Sequence, residues 1–125
     1  MDYSVNLNKL LDIDGALAAA IVDYETGMII VGETHTNHID LEYAAAGAAT
    51  IVNAQVATLN RLKIDEEVED ILVTLGNQYH LTRIHLHGNK TPNSDSFESL
   101  FFYVVVDRHK GNLALARRTL YDLGR

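Results

Sequence analysis

From Tyr43 to Asn60 the chain carries no charged side chain, yet its apolar residues recur at helical spacing. Leu41, Ala44/Ala45, Ala48, Ile51/Val52, Val56, Leu59 and Leu62 follow intervals of three and four, and no proline interrupts them. The spacing predicts one long helix from Asp40 to Arg61. Asp40 is its expected N-cap, with Tyr43 where a capping box would place a glutamate. A helix with one buried face ordinarily carries lysines and glutamates on the other. Here the surface is Ala44-Ala45-Ala46-Gly47-Ala48-Ala49, then Ala54 and Ala57, so both sides are expected to meet protein. Small residues also allow tight packing on the chain's own sheet, but an uncharged circumference costs solubility wherever it stays exposed. A second copy is therefore the expected cover, and Ala45, Ala48, Ala49, Val52 and Gln55 are the expected contacts.

The segments around this helix alternate between two periods. Asp2 to Leu11 has an apolar side made of Val5, Leu7, Leu10 and Leu11, which suits a short helix. Ala16 to Asp23 and the β-branched run Met28 to Val31 flank Tyr24-Glu25-Thr26-Gly27, a hairpin signal. Alanine is a poor strand former, so the first strand rests on its context. Val68 to Leu75, Tyr79 to His87 and Leu100 to Val106 are the next strands, the first two joined across Gly76-Asn77-Gln78. Leu100 to Val106 is apolar on both faces, as expected of a central strand covered by helices on both sides. Gly88 to Ser96 is the longest polar stretch. Leu113, Ala116, Leu120 and Leu123 end the chain with an amphipathic helix, Arg117 and Arg118 pointing outward. The order is α-β-β-α-β-β-β-α in one domain spanning residues 1–125.

Composition narrows the function. Seventeen acidic against ten basic residues give a net charge of -7, a field that repels nucleic acid and anionic lipid. No apolar run approaches the roughly 20 residues of a membrane-spanning helix. The polar start Met1-Asp2-Tyr3-Ser4 does not resemble a signal peptide, and the absence of cysteine suits a cytoplasmic protein. No phosphate-cradling Gly-x-x-x-x-Gly-Lys and no nucleophile-elbow pattern around Ser94, Ser96 or Ser99 is present, so neither a nucleotide hydrolase nor another enzyme is expected. Asp65-Glu66-Glu67, Glu69 and Asp70 form a charge run of the kind usually solvated.

The order and three blocks of residues together resemble the roadblock family of dynein light chains and prokaryotic GTPase-associated proteins. The blocks are Ile13 to Asp23 followed by Gly27, the alanine-rich helix, and Asp107 with Asn112 to Arg117. The resemblance covers nearly the whole chain; the hairpin at Tyr24-Glu25-Thr26, one residue longer than usual, departs from it, as does the polar loop. It implies an α+β, profilin-like fold: a five-stranded antiparallel sheet of order 2-1-5-4-3, the long helix on one face and both terminal helices on the other. It further implies a homodimer joined helix to helix and third strand to third strand, which adds Val73 to the expected interface. The implied partner is a Ras-like small GTPase, or a motor or signalling subunit, with no catalysis and no cofactor. Related folds of the PAS and profilin type hold small molecules between sheet and helix, which makes a ligand sensor the alternative.

Six histidines raise the question of metal. His85 and His87 share one strand face, and Thr34-His35-Thr36-Asn37-His38 gathers two more in a loop. Arg83 lies on the same face as His85 and His87, and no third ligand is evident, so a solvated or interface-facing strand is the expected role. A chelator is expected to leave the melting temperature unchanged; a drop of many degrees would show metal binding coupled to folding.

Overall fold

The computed structural model describes residues 2–86 and 99–123; the polar stretch Gly88 to Ser96 and His87 lie outside them. The elements run α1 (Tyr3–Leu11), β1 (Ala16–Asp23), β2 (Met28–Thr34), α2 (Leu41–Arg61), β3 (Asp70–Thr74), β4 (Gln78–Leu86), β5 (Ser99–Asp107) and α3 (Leu113–Leu123). The strands form one sheet of order β2-β1-β5-β4-β3, and every neighbouring pair is antiparallel. Element order, sheet order and class agree with the sequence reading. Strand ends differ by one to three residues. β2 runs on through Glu33 and Thr34, because an edge strand can carry polar side chains into solvent.

The two faces of the sheet carry separate cores. α1 and α3 lay Leu10, Ala116 and Leu120 against Ile21, Leu81, Phe102, Val104 and Val106. α2 lays Ala45, Ala48, Ala49 and Val52 against Ala18, Ala20, Val22, Phe101, Tyr103 and Val105. Strand alternation produces this division: successive β5 residues project to opposite faces, and both faces are covered. β5 is therefore buried from Ser99 to Val106. Ala18, Ala19 and Ala20 of β1 are fully buried for the same reason. Their poor strand propensity is overridden by a position between two layers that only small side chains fit.

The helix ends are built from local chemistry. Asp2 caps α1 by accepting from the Val5 amide, and Asp40 caps α2 by accepting from the Tyr43 amide. α2 ends in a Schellman motif. Ile64 N–H donates to the Leu59 carbonyl and Lys63 N–H to the Asn60 carbonyl, with Lys63 in the left-handed region at φ 56°. Arg117 lies on the outer side of α3 as expected, its side chain 51% exposed, but it is not merely solvated. Its guanidinium reaches the Asp70 carboxylate through Nε and Nη2, both at 3.1 Å, and fastens α3 to the edge strand β3. Arg118 lies outward and meets Asp122 one turn on.

Gly15 enters β1 with φ 81° beside Gly111 on the β5–α3 connection. A Cβ on Gly15 would stand 2.8 Å from the Gly111 nitrogen and 3.1 Å from the Asp107 carbonyl oxygen. The two connections can therefore touch only backbone to backbone. Gly15→Ala is expected to cost about 2–3 kcal/mol in urea unfolding, from strain and overlap together. Lys63→Gly is expected to gain up to about 1 kcal/mol by relieving its left-handed conformation.

Candidate protein interface

α2 packs over the β1–β2 side of its sheet face, not over its centre. Of the residues expected at a dimer contact, Ala45, Ala48, Ala49 and Val52 point into the chain's own core. They are at most 7% exposed, and this corrects their assignment to a symmetry mate. Gln55 and Val73 are exposed. The outward surface of α2 is set about half a turn away from the buried alanines. It runs through Tyr43 (81% exposed), Gly47, Thr50, Ile51 (46%), Ala54, Thr58 and Leu62 (62%).

The polar residues along α2 are turned to internal use. Thr50 Oγ1 donates to the Ala46 carbonyl and Thr58 Oγ1 to the Ala54 carbonyl, so hydrogen-bonding capacity is spent along the helix's own backbone. Asn53 Nδ2 donates to the Ala49 carbonyl and across to the Tyr24 carbonyl at 2.7 Å, tying the β1–β2 hairpin to the helix. What remains outside is uncharged from Tyr43 to Asn60 and, apart from Tyr43, Gln55 and Asn60, mostly small or apolar.

Because α2 sits to one side, the sheet face beyond it is covered incompletely: Thr82 and Ile84 are buried, but His80 is half-buried and Val73 exposed. A groove of about 230 Å³ opens between the helix flank at Ala44, Gly47 and Ile51 and the strand residues Ile71, Val73, His80, Thr82 and Tyr103. Two titratable groups lie in it. The Tyr103 hydroxyl is 2.9 Å from His80 Nδ1, and His80 Nε2 is 2.9 Å from Gln78 Oε1. The amide oxygen can only accept, so Nε2 carries the proton and Nδ1 accepts from the phenol. Burial holds the His80 pKa below its usual 6.5 and pushes the Tyr103 phenol up to about 12. Both groups are neutral at pH 7. His80 and Tyr103 come from different strands set side by side by the β4–β5 register.

The other histidines do different work. His85 is buried on the opposite face and stacks on Phe102 at 5.4 Å, while His87 lies outside the described residues. His35 meets Glu33 at 3.3 Å on the surface. Among the described residues no group of three or more His, Cys, Asp or Glu could hold a metal ion. No described helix is long and apolar enough to cross a membrane.

No protein-family model matches the sequence, and no curated protein matches it. Solved structures do share its architecture. A Roadblock/LC7 domain from Streptomyces avermitilis aligns over 99% of this chain and 92% of its own, with a TM-score of 0.76 at 12% identity. Myxococcus xanthus MglB aligns over 99% and 92%, with a TM-score of 0.75 at 16% identity. The gliding protein MglB from Thermus thermophilus aligns over 98% and 83%, with a TM-score of 0.77 at 13% identity. The fold is the roadblock fold.

The phase of α2 can be tested by adjacent substitutions. Ala49→Glu buries a carboxylate without a partner and is expected to cost on the order of 3–5 kcal/mol. Thr50→Glu, one residue on and outside, is expected to keep the helix content of the parent by far-UV circular dichroism.

Proposed function

We propose that the chain is a non-catalytic, homodimeric binding module of the cytoplasm that regulates or scaffolds a Ras-like small GTPase. The observation that carries the dimer is the uncharged outer surface of α2 beside an apolar groove. Gly47 sharpens it. A glycine in a helix interior costs about 0.5–1 kcal/mol relative to alanine. A Cβ at Gly47 would meet nothing within 4 Å, so the protomer itself does not require the glycine. A second backbone approaching closely would. The rows Tyr43-Gly47-Ile51-Gln55 and Ala54-Thr58-Leu62 are ridges of i+4 spacing, the kind two helices interlock. A two-fold axis near Ile51 would set Tyr43 of one copy toward Leu62 of the other. The groove and edge strand β3, with Val73 and Leu75 exposed, continue this surface onto the sheet.

The partner class rests on the roadblock resemblance, supported by the shared fold with MglB proteins. The acidic charge and the absence of nucleotide-binding motifs favour a protein partner over nucleic acid. A sensor would use the same groove for a small molecule. Native mass spectrometry showing a retained ligand that competes with self-association would favour that reading.

Light scattering is expected to give a dimer for the parent and a folded monomer for Ile51→Glu, which would set two carboxylates facing each other near the axis. A parent that stays monomeric would sink the dimer. Pull-down from native cytoplasm is expected to retain a small GTPase. Preference for its GDP or GTP-analogue form identifies a regulator, because only differential affinity shifts a conformational equilibrium; equal binding identifies a scaffold. No GTPase retained, together with turnover of a small molecule by the pure protein, would defeat both.

A further inference from the structure

A histidine in a closed apolar contact is tolerated while neutral and costly once protonated, unless a carboxylate stands near enough to offset the charge. His80 is half-buried on the open side of the α2 groove, and the groups around it can be named. Gln78 and Tyr103 bond its two nitrogens, and neither supplies a negative charge at neutral or mildly acidic pH. On β3, Val73 stands opposite it. On β5, Val105 stands opposite it, and the nearest carboxylate on that face is Asp107, two residues further along. Asp107 Oδ1 already accepts from the His109 and Lys110 amides. The α2 flank adds only Ala44, Gly47, Ala48 and Ile51.

Protonation would also break the arrangement described above. Nδ1 accepts the phenol proton in the neutral ring; an imidazolium has a proton on each nitrogen and no lone pair to accept with. The Tyr103 hydroxyl would then have to turn away or accept instead. A second copy laid on this face removes the remaining water, which is the imidazolium's main source of stabilisation. It brings no counter-charge, because α2 has no charged side chain between Glu42 and Arg61 at its two ends.

We infer that His80 makes self-association pH-dependent: the dimer holds with a neutral imidazole and loosens when the ring takes up a proton. This rests on the homodimer reading of the α2 face. The sign follows from linkage. The dimer, with the more buried ring, binds fewer protons than two separated protomers, so its stability is full above the His80 pKa of the separated protomer, itself lowered below 6.5 by burial, and falls as the pH drops through that value. The separated protomer shows the same sense more weakly, since burial already lowers the His80 pKa there. The remaining described histidines lie elsewhere: His85 is on the opposite face, and His35, His38 and His109 are at exposed turns or strand ends.

Sedimentation velocity over a concentration series at pH 7.5 and pH 5.5 tests the inference, with far-UV circular dichroism to show that the protein stays folded. The dissociation constant of the parent is expected to rise on the order of 10-fold or more at the lower pH, the response of about one pKa unit of difference between the free and paired states. His80→Gln is expected to dimerise with nearly the same constant at both values, and His109→Gln to behave like the parent. A parent that is monomeric at pH 7.5 fails the dimer reading itself. A parent that dimerises equally at both pH values overturns the pH dependence alone, as does a His80→Gln protein that keeps the parent's response. An NMR titration of the His80 ring in dilute and concentrated parent protein provides a second measurement that needs no variant. Its pKa must be lower in the dimer, and equal values overturn the inference.

Discussion

The close approach of α2 to β1, alanine against alanine, is the contact on which the arrangement of this molecule depends. Ala45, Ala48 and Ala49 share one buried cluster with Ala18 and Ala20, and side chains this small let the helix lie low on the sheet. A low helix covers a narrow strip. Placed over β1 and β2, it leaves the α2-side faces of β3 and β4 partly open at Val73 and His80, and the groove at His80 and Tyr103 follows. Larger residues at those alanines would raise the helix and spread its contacts. The small side chains thus build a tight core and an unfinished surface at once.

The same economy governs the polar groups. Thr50, Thr58 and Asn53 direct their hydrogen bonds to carbonyls of the chain itself, and His80, Tyr103 and Gln78 bond one another. A contact surface whose polar atoms are satisfied internally can lose water without leaving donors and acceptors unpaired. The fixed tautomer of His80 is part of that satisfaction, and it lasts only while the ring is neutral.

The architecture was legible in the sequence because period and punctuation changed together. The β-branched run at Met28 to Val31, the doubly apolar run at Leu100 to Val106 and the glycines between elements each point to one kind of structure. The phase of α2 was not legible. Where both faces are alanine, hydrophobic periodicity marks a helix without marking its inside, so the buried Ala45, Ala48, Ala49 and Val52 read like the exposed face, where Gln55 lies. Tyr43 offered the missing signal: a large side chain among alanines has no room in so close a contact and must face out. The pairing of His80 with Tyr103 depends on strand register, which local pattern does not supply. The ion pair that the exposed Arg117 makes with Asp70 is hidden in the sequence for the same reason, the two being neighbours only after the chain folds.

The two edges of the sheet are unlike. β3 is a five-residue strand paired to β4 without irregularity, and its Ile71 and Val73 face the groove. β2 carries a bulge at Ile30, where the register with β1 slips between Ile21 and Val22, and exposes Glu33 and Thr34 toward its end. A bulge and a charge are the means by which an edge strand is made unreceptive to another strand. Strand addition at β3 alone joins two sheets and then has nowhere to continue, since fibre growth requires a second receptive edge on every unit. The asymmetry between these edges would set the limit of any assembly by strand addition: pairing at β3 would close on itself and not propagate.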